Sequence, residues 1–258
     1  MKLIKAFVFS LLFSNLADAE LILDVGTWDF PPFTVENSQE PQGIFSEILN
    51  TACQNTKVTC KTNSYPYKRM VTMGEAKELD AIYPVVRHEE WIKWNDLSPI
   101  IINSSYDIFV LTTDPLKYEK PSDLQNYTTG TLSPKTITYE MLQKEIKDFK
   151  GSKAEPEVSV AVALTKLAGG RYANQWSTGA VLTNKDVGAD LIRREGMTTI
   201  RDAGVFKPNV DFHFAFIKES KNQAAIAVVL TEMKRLMSDK TYVEALRAKY
   251  PYDIPLDK

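Results

Sequence analysis

Five segments between Leu21 and Tyr83 alternate between strand and helix patterns, and this restricts the fold more than any other feature of the chain. Residues 21–26 carry Leu21, Ile22, Leu23 and Val25 in a short apolar run, the pattern of a buried strand. Gly43 then opens a segment in which Ile44, Phe45, Ile48, Leu49, Ala52 and Cys53 recur at helical spacing. Residues 58–62 read as a second strand. Pro66, a favoured first helical residue, starts a helix bearing Arg69, Met70 and Met73. Residues 79–83 supply a third strand. Such alternation predicts an α/β fold built on parallel strands.

The pattern resumes after a break. Residues 106–111 form an apolar strand, and the polar stretch 112–123, with Pro115 and Pro121, marks a boundary between two units. The second unit is expected to hold a strand at 127–131 and a helix with Ile137, Met141, Leu142 and Ile146. A helix at 158–168 follows, stopped by Gly169 and Gly170, as glycines stop helices elsewhere. A strand at 180–182 and a helix at 187–195 complete it. Residues 212–217 read as a strand, Ser220 as the cap of a long helix, and Ser238 and Asp239 as the start of a last one.

The N-terminus carries a second constraint. Lys2 and Lys5 precede an apolar run at 6–16, and Ala17-Asp18-Ala19 offers a small-residue cleavage site. This predicts a secretory signal peptide cut after Ala19, because the run is far short of the roughly 20 residues a membrane span needs. The mature protein is therefore expected to start near Glu20 and to work outside the cytoplasm. A net charge of −2 spread over a mixed surface argues against nucleic acid, which demands a concentrated basic face. Two cysteines in an exported chain, Cys53 and Cys60, predict a disulfide that closes a short loop and stabilises the fold by about 2–3 kcal/mol. A metal is not expected, since His88 and His213 stand in no Cys/His spacing. Nor is a cofactor, for no Walker loop, G-x-S-x-G or H-E-x-x-H run is present. His88 reads as a surface histidine and His213 as a packed one.

In order and spacing, several segments resemble the family 3 extracellular solute-binding proteins, the amino-acid-binding type of periplasmic receptor. They are Trp28-Asp29-Phe30-Pro31-Pro32-Phe33 after the first strand, Gly43-Ile44-Phe45, Gly74 through Leu79-Asp80-Ala81, Leu97-Ser98-Pro99-Ile100, Gly170-Arg171-Tyr172 and Phe214-Ala215-Phe216-Ile217-Lys218. The resemblance implies a two-lobed periplasmic binding protein fold, each lobe a mixed sheet flanked by helices and the two joined by two crossover strands. Lobe 1 would be 20–111 plus 216–258, and lobe 2 would be 112–215. Hinge closure over a solute is the motion that goes with such a fold.

The resemblance also places a ligand site in the cleft. Trp28 and Phe30 would form an aromatic wall. Arg69, in Tyr65-Pro66-Tyr67-Lys68-Arg69 at the entry of a helix, would grip a carboxylate through two parallel hydrogen bonds. In amino-acid-binding members a Thr-x-x-Arg pattern after the third strand takes the α-carboxylate; here its arginine position falls at Trp91 or Ile92. Either Arg87, on the loop that starts at Tyr83, would substitute, or a different ligand is bound; Tyr83 and Trp91 join the set. In lobe 2 the family's Gly-Arg-x-Asp is replaced by Gly170-Arg171-Tyr172-Ala173-Asn174, which puts Asn174 where an aspartate would meet an ammonium. Ser133 and Thr136 would donate from a helix N-terminus.

These implications favour a non-enzymatic, monomeric receptor that closes over a small polar solute, amino-acid-like or carboxylate-bearing, for an ABC-type transporter or a sensor. Two alternatives stand beside it. One is a periplasmic enzyme on the same fold, similar to cyclohexadienyl dehydratases, with Glu36 and Glu47 as the nearest acids. The other is a ligand-sensing partner of a membrane receptor.

Overall fold

A computed structural model describes residues 20–37, 40–132 and 136–257, apart from the side chains of Glu90 and Trp91. The expected signal peptide and Ser133 lie outside the described residues. The chain begins with β1 (Ile22–Thr27), α1 (Ile44–Thr56), β2 (Thr59–Ser64), α2 (Tyr67–Glu75) and β3 (Ala81–Val86), the alternation read from the sequence. A short helix α3 (Glu89–Trp94) and strand β4 (Asn95–Leu97) lead into the long β5 (Ile102–Leu111). The second unit holds β6 (Tyr127–Leu132), α4 (Ile137–Ile146), β7 (Lys153–Glu157), α5 (Val160–Ala168), β8 (Thr178–Asn184) and α6 (Lys185–Arg194). Then β9 (Ile200–Ile217) returns to the first unit, and α7 (Gln223–Ser238) and α8 (Lys240–Lys249) close the chain.

The strands form one curled sheet in the order β2-β1-β3-β9-β5-β8-β6-β7, with β4 also paired to β9. Strand β1 runs parallel to β2 and β3, and β6 parallel to β7 and β8. Between these two parallel groups, β5 and β9 run antiparallel to each other and to their outer neighbours. Two lobes thus share two strands. The register between those strands slips three times. From Ser104↔Val210 to Phe109↔Asp202, β9 spends three more residues than β5. Such bulges bend and twist a strand, and Asn209 takes a left-handed φ of 54° beside Pro208.

Helix α1 packs against the sheet through the residues its periodicity marks: Ile44, Phe45, Ile48, Leu49, Ala52 and Cys53 are all buried. Its entry requires Gly43. That residue sits at φ 115°, where a Cβ would lie 2.2 Å from the carbonyl oxygen of Phe33. The expected disulfide joins Cys53 to Cys60, tying the last turns of α1 to β2. Asp80, buried at 3%, ties the start of β3 to both ends of lobe 1: it accepts from the Asp24 N–H at 2.7 Å, from Asn222 Nδ2 at 2.8 Å and from the Ser220 hydroxyl.

The expected boundaries shift at two helices. The cap position of α7 is Asn222, not Ser220, whose Oγ donates to Asp80 and accepts from the Asn222 N–H at 2.9 Å. Helix α5 starts at Val160 behind Ser159, whose hydroxyl accepts from the Val162 N–H, so Val158 stays outside it. Besides the three-residue β4, two longer stretches of strand are absent from the sequence reading. One is β7, an edge strand of sequence KAEPE whose charges and proline suit an edge. The other is the polar first half of β9.

Candidate functional site

The carboxyl ends of four strands converge on one cleft of about 580 Å³. Trp28 and Phe30 follow β1, and Pro84, Val85 and Val86 end β3; Leu132 ends β6, and Leu182, Thr183 and Asn184 end β8. Open α/β sheets place their ligand sites at such ends. The shared strands add Tyr106 from β5 and Phe212 from β9, so each lobe supplies one wall. The volume falls within the range of small-molecule sites, about 300–1,000 Å³.

The lobe 1 wall is aromatic. Trp28 and Phe30 stack with ring centres 4.3 Å apart and planes at 23°. Tyr67, the first residue of α2, leans on Trp28 at 4.7 Å, and Phe212 backs Phe30 at 5.9 Å. Two bonds fix the wall in place. Trp28 Nε1 donates to the Pro84 carbonyl at 3.3 Å, and the Thr34 hydroxyl donates to the Trp28 carbonyl at 2.7 Å. Helix α2 also brings Lys68, Val71, Thr72 and Glu75 to the cleft, while its Met70 and Gly74 turn inward.

The facing wall is built from helix starts. Thr136 caps α4: its Oγ1 accepts from the Tyr139 N–H at 3.3 Å and donates to the Leu132 carbonyl at 3.1 Å. Asn184 caps α6 through Oδ1, and its Nδ2 donates to Ser104 Oγ and to the Ser105 carbonyl at 3.0 and 3.1 Å. Ser104 in turn donates to Asp186, and Ser105 to Asp107. A polar network thus lies under the cleft floor, at the first register slip between the shared strands.

Three groups titrate abnormally here. Burial, and then the Glu140 carboxylate across the cleft, raise the Tyr67 phenol to about 12. Burial likewise raises the Tyr106 phenol, with a smaller push from Tyr67. Both hydroxyls keep their protons at neutral pH. Burial, with the Asp202 carboxylate adding to it, raises Asp107 to about 7 against the pull of Ser105 and Lys185. Outside the cleft, burial lowers His213; its Nδ1–H donates to the Ser98 carbonyl at 2.9 Å, and its Nε2 has no hydrogen-bond partner among the described residues.

Of the residues singled out from sequence, Trp28, Phe30 and Thr136 meet in the cleft. Tyr83 does not. A register break between Ile82 and Val85 turns it to the α1 face, where it stacks on Phe45 at 5.8 Å and its hydroxyl pairs with Ser46 at 3.0 Å. Arg69 is exposed and lies over the Tyr65 ring at 5.5 Å; Arg87 is exposed beyond β3. Neither arginine lines the cleft. Asn174 holds a turn, accepting from the N–H groups of Trp176 and Ser177 at 2.7 and 3.0 Å. The Trp91 side chain is outside the described set. His88, read as a surface residue, is half-buried and lines the cleft, while His213 is packed as expected. Sequence reasoning did not place Trp94, Tyr106, Phe212 or Asn184 there. Tyr67 carried a signal, standing directly after the helix-opening Pro66.

The sequence model of the bacterial extracellular solute-binding proteins, family 3, matches residues 23–251. The chain belongs to this family. Solved structures agree on the fold of this family 3 protein. An ancestral arginine-binding protein bound to arginine is 18% identical, with a TM-score of 0.75, covering 90% of this chain and 98% of its own. A histidine kinase sensor domain with similarity to periplasmic binding proteins is 19% identical, TM-score 0.76, covering 92% and 100%. ArtJ of Geobacillus stearothermophilus, an arginine-, lysine- and histidine-binding protein, is 19% identical, TM-score 0.73, covering 91% and 97%. No curated protein sequence matches the family 3 chain significantly.

Proposed function

We propose that this family 3 protein is a periplasmic receptor that closes its two lobes over one small solute and presents it, unchanged, to an ABC-type transporter or a sensor. One observation carries the reading: a single cleft of about 580 Å³ receives a wall from each lobe at the strand ends where α/β sheets bind ligands. The lobes are 20–111 with 216–258, and 112–215, and the bend lies within the shared strands. The slips between Ser104 and Phe109 support that position, since a strand that is already bulged bends most readily. Export through residues 1–19 brings the protein to the compartment where the Cys53–Cys60 bond persists.

The test is small-angle X-ray scattering joined to thermal melting across amino acids, polyamines, small carboxylates, aromatic acids and neutral aromatics. A binding solute should raise the melting temperature, reduce the radius of gyration by about 1 Å through hinge closure, and be recovered chemically intact. Stabilisation without compaction, or turnover of the solute, overturns the reading.

A further inference from the structure

We propose that the cleft recognises its solute by a planar aromatic ring, stacked on the Trp28–Phe30 wall and hydrogen-bonded to the Tyr67 and Tyr106 hydroxyls, rather than by an α-amino and α-carboxylate pair. The inference rests on the solute-binding reading above and adds the chemical class of the ligand.

The charges come first. Among the described residues, the titratable groups that line the cleft apart from its tyrosines are Lys68, Glu75, His88 and Glu140. Lys68, Glu75 and Glu140 are exposed, at the rim. No described arginine or aspartate lines the interior. A carboxylate held deep inside would therefore lack the planar two-bond partner that makes such contacts strong. An ammonium there would meet no described interior carboxylate, and only the ring faces of the wall would offset the cost of burying its charge.

The helix starts offer no substitute. Their dipoles favour anions in general, but these are already served. Thr136 caps α4, Ser159 caps α5 and Asn184 caps α6, each with its own oxygen. Glu140 and Asp186 place negative charge in the first turns of α4 and α6. An incoming carboxylate would meet like charge at two of the three.

What the cleft does offer is ring faces and phenol hydroxyls. Trp28 is half-buried, so part of its surface remains open beside the stacked Phe30. Its indole N–H is held by the Pro84 carbonyl, which fixes the plane before a ligand arrives. The Tyr67 and Tyr106 hydroxyls are hydrogen-bonded to none of the described residues, and a phenol is protonated at neutral pH and able to donate to a ligand. A buried phenol usually finds a partner; here the ligand provides it. A cavity of about 150 Å³ holds a benzene ring, so the cleft has room for a fused ring system.

Isothermal titration with five probes tests the proposal: indole, phenol, arginine, glutamine and tetramethylammonium. Indole and phenol are expected to bind, and arginine and glutamine at least about 10-fold more weakly than indole, since stacking and area burial act only on the ring. Trp28→Ala should weaken indole about 10-fold. Tyr67→Leu, on the partly exposed face of α2, gives a second ring deletion should the first variant fail to fold. Tyr106→Phe should weaken phenol while leaving toluene, added as a sixth probe for this comparison alone, unchanged, a difference that a purely structural role for Tyr106 does not produce. Binding of arginine, glutamine or tetramethylammonium without indole overturns the proposal and leaves the receptor reading standing. Silence of all five also overturns it, and compaction with the broader solute panel then decides separately whether the receptor reading survives.

Discussion

Asp107 and Asp80 are both buried carboxyls, and their surroundings give them opposite consequences. Asp107 has a native pKa raised above the unfolded value of 3.8, by burial and then by Asp202. Between those values the native state binds more protons than the unfolded chain, so stability falls as pH rises through the window. Above neutral pH the ionised carboxylate costs its full amount. Asp107→Asn is therefore expected to raise the melting temperature at pH 8 by about 5 °C, on the order of 2 kcal/mol, and to give no gain near pH 4. Equal effects at both pH values would show that Asp107 is not ionising in the folded protein. Asp80 is instead surrounded by three donors from two segments, β1 and the turn before α7. Asp80→Asn turns an amide nitrogen toward those donors and should cost about 2–3 kcal/mol at neutral pH in denaturant titrations. A neutral outcome would sink the account of Asp80 as the tie between β3 and the start of α7. Sequence alone ranks neither residue, because both effects depend on neighbours far away along the chain.

At the scale of elements, the disulfide belongs with α1 and β2, whose junction it closes. Replacing Cys53 and Cys60 by serine releases a short loop in the unfolded state, and the expected loss is about 2–3 kcal/mol. Urea titration should show it as a lower midpoint with a closely similar slope; an unchanged midpoint would mean that α1 packing alone fixes this corner. The elements themselves were mostly legible. Helix α1 displays its buried face in its spacing, and β1, β3 and β6 stand out as apolar or β-branched runs. The failures have physical causes. Strand β7 is an edge with charged side chains, and the first half of β9 is a polar strand whose pairing with β5 supplies what its composition does not. Ser220 resembles a helix cap in sequence, yet its oxygen accepts from the N–H of Asn222, the residue before the helix, while its hydroxyl donates to Asp80.

At the scale of the molecule, the fold was readable and the site only in part. Trp28 and Phe30 follow a recognisable strand end, and Thr136 a recognisable helix start, so three of the cleft residues were within reach. Tyr106 and Phe212 were not. They reach the cleft because β5 and β9 cross between the lobes, and that pairing leaves no local mark. Arg69 and Arg87 had the right chemistry in nearly the right place, but α2 and the end of β3 carry them to the surface. The lobe 1 wall they leave is aromatic, which is why the proposed ligand class rests on the assembled walls and not on the residues that drew attention first.

The return of β9 to β3 also sets an order of events. Ala81 pairs with Phe216 and Ile82 with Ala215, so the first lobe lacks an inner strand until the whole second lobe has been synthesised. Chain emerging from a ribosome or an export channel, N-terminus first, would carry β1, β2 and β3 with an open edge while β6, β7 and β8 are already able to pair. Unpaired edges are where chains associate wrongly. The first lobe to emerge is thus the last to be finished, and its edge stays open longest.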